Sequence, residues 1–256
     1  PSTSPVLTED QVLINAPGSV NYPIANLASV AYTALGDTMS KTEQAQYLAA
    51  YASAFENRRI IVTWPDQVEV SFGGSLQIVP GYFLSAASAG LKSGQKPQQP
   101  LTNLAVAGFT RVFNSDNYFN EDQLKLLDAG GIMVHEQPVT DGPIVVRRQR
   151  TTDTTDIKKT ELSIVNIVDF VAKFLRQELD PYTGKYNITP QYLEMLKVVI
   201  NGLTARLKET TTVGPVIIEG TLISIEQNAV ETDTVDIVYQ IEAPVPANFL
   251  RVRLQV

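Results

Sequence analysis

A chain of 256 residues, 44% of them hydrophobic, is long enough to bury one large core or two unequal ones, which excludes a disordered or fibrous protein. A net charge of −7 argues against a general nucleic-acid surface, which needs clustered positive charge to displace counterions. Cysteine is absent and His135 is the only histidine, so disulfides and thiolate metal sites are excluded and any histidine-dependent site must use that one residue.

The chain opens at Pro1 without a charged and apolar leader, and a first residue other than Met points to a processed or truncated chain. Residues 1–25, rich in Pro, Ser and Asn, read as a loop or arm. From Ser40, "SKTEQAQYLAAYASAFEN" predicts a helix, with Ser40 as N-cap and Glu43 at capping-box spacing. "RRIIVTWP" follows as a short buried strand bounded by charge and proline. Val70 to Leu91 carries no charge and has the length of a bilayer span. Its glycines, Pro80 and serines make it a buried strand, turn and helix instead, the helix being "YFLSAASAGL" with Ala and Ser on its close-packing side. The polar loop "KSGQKPQQP" lacks the spacing of a phosphate loop.

"LAVAGFTRVF" reads as a strand and "FNEDQLKLLDAGG" as a helix, with Leu124 and Leu127 on one face and Gly130 and Gly131 at its C-terminal end. "GIMVHEQP" and "GPIVVRRQR" read as two strands joined by the turn "VTDG". Two long helices come next. The first runs over 161–179, with Leu162, Val165, Val168, Phe174 and Leu175 at helical spacing, and "DPYTG" stops it. The second begins at Thr189 and Pro190 and carries Leu193, Leu196, Ile200, Leu203 and Leu207. The last forty or so residues switch to period two in "GTLISIE", "TVDIVYQIE" and "FLRVRLQV". The expected fold is mixed α/β: a central β-sheet flanked by helices, then a β-rich C-terminal region ending in an extended strand arm. The expected domains are 1–118 and 119–256.

Several residues have the types that carry chemistry. His135 and Glu136 sit at a strand end, but no motif such as H-E-x-x-H surrounds them, which favours a structural histidine over a general base. "GGSLQ" is not a nucleophile elbow, and "YNIT" fits the N-glycosylation pattern without further support. Asp153, Asp156 and Asp169 match no metal-loop spacing and read as helix-start carboxylates that offset the dipole and the nearby arginines. In "VVRRQRTTD", alternation puts Arg148 and Arg150 on one face and Arg147 on the other. Guanidinium forks suit carboxylates, and in an acidic chain those partners lie nearer to hand than a phosphate ligand. Arg147, Arg148, Arg150 and Asp153 are therefore candidates for structural salt bridges. In "FLRVRLQV", Leu250, Val252, Leu254 and Val256 share one face, opposite Phe249, Arg251 and Arg253, after a connector holding Pro244 and Pro246. Such a strand either folds back on its own sheet or completes a neighbour's.

In their order and spacing, "NRRIIVTWPD", "VPGYFLSAASAGL", "QQPLTNLAVAGF", "LLDAGGIMV", "VVRRQRTTD" leading into "ELSIVNIVDFVAKFLRQEL", and "DIVYQIEAPVPANFLRVRLQV" resemble the contractile tail sheath proteins of myophages. That family is related to the sheaths of R-type tailocins and type VI secretion systems. The resemblance covers nearly the whole chain as the family's C-terminal portion, with little to match before about Leu27. It implies a structural subunit and no enzyme, cofactor or metal. Six-membered rings would stack helically around a tail tube and contract to drive it through the host envelope. The implied partners are further copies of the chain, the tube protein, and baseplate and neck proteins, with no nucleic acid and no membrane insertion. The implied location is the virion tail, assembled in the host cytoplasm. The C-terminal strand, with Phe249, Leu250, Val252, Leu254 and Val256, would be an arm engaging a neighbour, and Lys197, Arg206 and Lys208 would face the tube. The rival reading is an α/β ligand-binding domain or enzyme using His135 and the Arg147–Arg150 segment.

Overall fold

The structure, a computed structural model, describes residues 24–26, 40–112, 119–139, 141–248 and 253. In chain order the elements are β1 (Ile24–Asn26), α1 (Lys41–Ser53), β2 (Ile61–Trp64), β3 (Gln67–Phe72), β4 (Ser75–Pro80), α2 (Tyr82–Ser93), β5 (Arg111–Val112), α3 (Glu121–Ala129), β6 (Ile132–Glu136) and β7 (Val145–Val146). A short α4 (Ile157–Thr160), the long α5 (Leu162–Leu179) and α6 (Pro190–Leu207), and the strands β8 (Glu219–Gln227) and β9 (Val235–Glu242) complete them. Among the described residues, those up to Lys96, Pro100–Leu162 and from Asn248 on form one compact unit, while Pro97–Gln99 and Ser163–Ala247 form a second.

The first unit is built on a four-stranded sheet in the order β1-β2-β6-β7, the first three parallel and β7 antiparallel. The apolar run of β2 is explained by burial on both faces. Val62 and Trp64, with Ile132 and Val134 of β6, pack against Ala45, Leu48 and Ala52 of α1 and Leu127 of α3. Ile61 and Met133 point the other way, onto Leu84 of α2, Leu101 and Ile144. The sheet is thus central and flanked by helices, as expected. The expected capping box of Ser40 and Glu43 is present on α1, and Asn120 and Gln123 form a second one on α3.

Gly130, the C-cap of α3, lies against α1. A Cβ at this position would stand 2.7 Å from the Ala49 carbonyl oxygen, with the Ala49 Cα and Cβ closer still. We expect Gly130→Ala to force the two helices apart and to lower stability by about 2 kcal/mol, the cost of overpacking a contact that cannot relax. Urea denaturation checks this, and an unchanged midpoint would mean that α1 yields freely.

The uncharged stretch 70–91 differs from the expectation. It forms a hairpin, β3 and β4, before α2, and β4 is largely exposed. Gly73 and Gly74 supply the positive φ angles, 59° and 83°, that a tight two-residue turn needs. A lack of charge does not by itself mean burial. "LAVAGFTRVF" also differs: only Arg111–Val112 is a strand, pairing with β3. The preceding residues run irregularly along β7, with Val106 N–H donating to Ile144 O and Val146 N–H to Leu104 O. Positive φ at Asn103 (62°) and Gly108 (97°) breaks the strand.

In the second unit, Ile167 and Val171 of α5 pack with Leu207 of α6 and Ile217, and Leu196 and Ile200 of α6 pack with Ile225 of β8. β8 and β9 form a two-stranded antiparallel sheet with alternating cover. The Thr204 and Tyr239 hydroxyls lie 2.8 Å apart and link α6 to β9. No described helix is long and apolar enough to cross a membrane.

Residues 119–162 group with the first unit, where β6 pairs in parallel with β2 and α3 packs on α1. Of the β-rich C-terminal region, β8 and β9 are described. The arm residues Phe249, Leu250, Val252, Leu254 and Val256 lie outside the described residues.

Candidate functional site

The arginine segment leaves the end of β7, and its side chains divide as alternation predicts. Arg147 turns to α3 and β6. Its Nη2 is 2.6 Å from Glu121 Oε1, its Nη1 is 2.8 Å from Glu136 Oε2, and its Nε is 3.2 Å from Asp128 Oδ2. Burial works against the guanidinium charge, but the bonds to Glu121, Glu136 and Asp128 outweigh it and hold the Arg147 pKa above its ordinary value. Burial in turn pushes the Asp128 carboxyl up, and Arg147 opposes this.

Arg148 and Arg150 turn to the opposite side and converge on Glu161, which has no exposed surface. Its Oε1 is 3.5 Å from Arg150 Nη1 and 3.9 Å from Arg148 Nη2. Burial raises the Glu161 pKa, and Arg150 and Arg148 pull it back. Asn248 completes the cluster: its Nδ2 donates to Glu161 Oε1 at 2.9 Å, and its Oδ1 accepts from the Thr102 hydroxyl at 3.2 Å. Between the arginines, the buried Gln149 accepts from Leu101 N–H at 3.0 Å. The threonines that follow tie the segment down, Thr152 to the Asn57 carbonyl and Thr160 to the Asp153 carbonyl.

Asp153 was grouped with the arginines from sequence, but the structure pairs it elsewhere. It accepts from Thr155 Oγ1 at 2.6 Å and lies 3.5 Å from Lys159 Nζ. Asp156 caps α4, accepting from Lys158 N–H. The carboxylates that do meet the arginines were not assigned to them from the sequence. Two left a signal: Glu121 and Asp128 are seven residues apart, hence on one helical face; Glu136 comes near Arg147 through strand register, lying opposite Val145. Glu161 and Asn248 left none.

His135 is fully buried on β6, with Nδ1 3.2 Å from the Trp64 carbonyl oxygen and Nε2 2.8 Å from Ser88 Oγ. A carbonyl only accepts, so in the neutral ring Nδ1 carries the proton and Nε2 is an acceptor beside the Ser88 hydroxyl, whose one proton is shared between Nε2 and the Leu84 carbonyl oxygen, 2.8 Å away. Burial pulls the His135 pKa down to about 4. The folded protein therefore holds this ring neutral, while the unfolded chain protonates it below about 6.5. This contribution to stability is complete above pH 6.5 and is lost as pH falls toward 4, amounting to about 2–3 kcal/mol. We expect His135→Gln to flatten the fall in denaturation free energy between pH 6.5 and 4, relative to the parent. An unchanged slope would mean that the ring is protonated in the fold.

Lys197, Arg206 and Lys208 each meet a carboxylate of their own unit. Lys197 is 2.6 Å from Glu194, Arg206 is 3.4 Å from Glu178 and stacks over Phe174, and Lys208 is 2.8 Å from Glu219. Among the described residues no group of three or more His, Asp or Glu side chains is placed to hold a metal ion. The second unit also carries an apolar groove of about 580 Å³ beside β9, lined by Val168, Val171 and Leu175 of α5 and by Ile237, Tyr239 and Ile241. Arg176 and Asp180 stand among its lining residues. Among the described residues β9 pairs with β8 alone.

No known protein family matches the sequence, and no curated protein does. Solved structures match the fold. A chain of the anti-feeding prophage baseplate, determined with 6-fold symmetry, superposes with a TM-score of 0.57 at 13% identity, over 85% of this chain and 66% of that one. The helical sheath of the same particle in its contracted state gives 0.59 at 14% identity, over 78% and 56%. The sheath tail protein from Desulfitobacterium hafniense gives 0.53 at 12% identity, over 79% and 52%. The chain thus has the fold seen in contractile tail sheath proteins and spans between 52% and 66% of the length of these three structures.

Proposed function

We propose that this chain is a structural subunit of a contractile tail sheath, polymerising as stacked six-membered rings around a tail tube and shortening to drive the tube through a host envelope. The observation that carries this reading is the fold shared with a contracted helical sheath over 78% of the chain. Contraction requires rigid bodies joined by an interface with two stable packings, and no active site. A first unit whose sheet is buried on both faces and whose arginines pair with four carboxylates supplies such a body. Further copies of the chain, a tube protein, and baseplate and neck proteins are the partners of this reading. The virion tail is its location, with assembly in the host cytoplasm.

Phe249–Val256 acts as the arm in this proposal. Its apolar face, Leu250, Val252, Leu254 and Val256, enters the groove beside β9 of a neighbouring copy and extends the β8-β9 sheet by one strand. Lys197, Arg206 and Lys208 are assigned to the tube side, where they would exchange their own carboxylates for those of an acidic tube. Each exchange contributes only about 0–1 kcal/mol, repeated around a ring.

Electron microscopy of the purified chain, alone and with tube protein, tests the proposal. Hollow sheaths or rings are expected, and a chain that stays monomeric in both conditions overturns it. The buried His135 ring and the pairing of the partly buried arginines with carboxylates of their own chain count against a ligand-binding reading.

A further inference from the structure

We propose that Asn248 is a positioning residue, a latch that fixes the point at which the C-terminal segment leaves the first unit. The consequence for assembly rests on the sheath-subunit reading, but the latch itself does not.

Residues 243–248 form no helix or strand, and Pro244 and Pro246 have no N–H to donate. Among the described residues, the hydrogen bonds of 243–248 are made by the Asn248 side chain, and it uses both ends. The amide nitrogen donates to Glu161 Oε1 and the amide oxygen accepts from the Thr102 hydroxyl. Only a group with one donor end and one acceptor end meets both partners. A carboxylate lacks the donor and an aliphatic side chain lacks both.

The anchor is rigid. Glu161 has no exposed surface and is shared by Arg148 and Arg150, so the part-buried bond from Asn248 is charge-assisted. Thr102 neighbours Leu101, whose N–H is bound by the buried Gln149. Glu161 also immediately precedes α5. The root of the arm and the start of that helix therefore hang on one carboxylate. An arm given to a neighbouring copy would leave from a fixed point on a packed body. A long unanchored tether would lower the effective concentration of the donated strand at its acceptor.

The absence of cysteine makes site-specific spin labelling clean. Nitroxides attached through Ala247→Cys and Lys125→Cys, both exposed positions, report how tightly the segment is held. The parent should give a narrow distance distribution. N248D removes the donor and sets a second carboxylate against Glu161. It should broaden the distribution to on the order of 10 Å, the spread of a few freed residues, while circular dichroism and thermal unfolding stay those of the parent. The double variant N248D/E161Q exchanges the amide and the carboxylate and should narrow the distribution again. Thr102→Val, which leaves Asn248 and Glu161 untouched, should broaden it in part and covers the event that N248D folds poorly. Equal widths in parent and N248D overturn the latch, as does a parent that is already broad. If the latch behaves as expected, N248D should form no ordered sheath and the double variant should recover it. Normal sheath from N248D overturns the positioning role. A parent that never assembles while the widths change as expected leaves the latch standing and overturns the sheath reading instead.

Discussion

Deleting Phe249–Val256 is expected to leave a folded protein that no longer forms sheath. The described apolar clusters, two within each unit, are built from residues between Ala45 and Ala243, so they persist when the last eight residues are removed. Asn248 also remains, and with it the contact to Glu161. What is lost in the proposed function is the strand that fills the groove beside β9 of the next copy. Both partners then carry an unpaired edge, and some stickiness is expected. If the strand belongs instead to its own chain's sheet, the same deletion removes an integral element and the protein unfolds. Circular dichroism and electron microscopy separate the two outcomes. Normal sheath from the truncated chain would sink the donated-strand idea altogether.

Replacing Arg148 and Arg150 together by Ala is expected to cost about 3 kcal/mol at pH 7, the range found when a buried charge loses its partners. Glu161 has no exposed surface, and after the substitution only Asn248 and Gln149 remain to counter its burial. The sign of the pH dependence follows. Burial already raises the Glu161 pKa, and without the arginines it rises further. The folded variant then takes up a proton at a pH where the unfolded chain has none, so its deficit relative to the parent shrinks as pH falls through the raised folded pKa. Urea denaturation of parent and variant from pH 7 downward gives both numbers. A variant as stable as the parent at pH 7 would show that Glu161 is already neutral in the fold. Polynucleotide affinity is expected to be negligible in both proteins, and salt-sensitive binding lost in the variant would restore the ligand reading of the arginines.

Much of the local structure was legible in the chain, because its causes lie within a few residues. Ser40 and Glu43, and Thr189 with Pro190, start their helices where their hydrogen-bonding chemistry says they should. The period-two pattern of β9 and the helical spacing in α5 and α6 likewise hold. The separation of Arg147 from Arg148 and Arg150 followed from alternation alone. The misreadings share another cause. The stretch 70–91 was expected to be buried because it is uncharged, but the Gly73-Gly74 turn carries much of it outward as a hairpin. The strand expected over "LAVAGFTRVF" likewise shrinks to Arg111–Val112, because Asn103 and Gly108 take positive φ.

By itself, then, the sequence determined the long helices and several of the strands, that the arginines would seek carboxylates, and which fold family the order of segments resembles. Tertiary structure alone decided which carboxylates those are. Glu161 and Asn248 are separated by 87 positions, and Thr102 and Asn248 by 146. Periodicity and capping act over one or two turns of chain, so they carry no information at such separations. A buried charge takes the partner that packing brings within reach, and the partner becomes known only once the sheet and helices have closed around it.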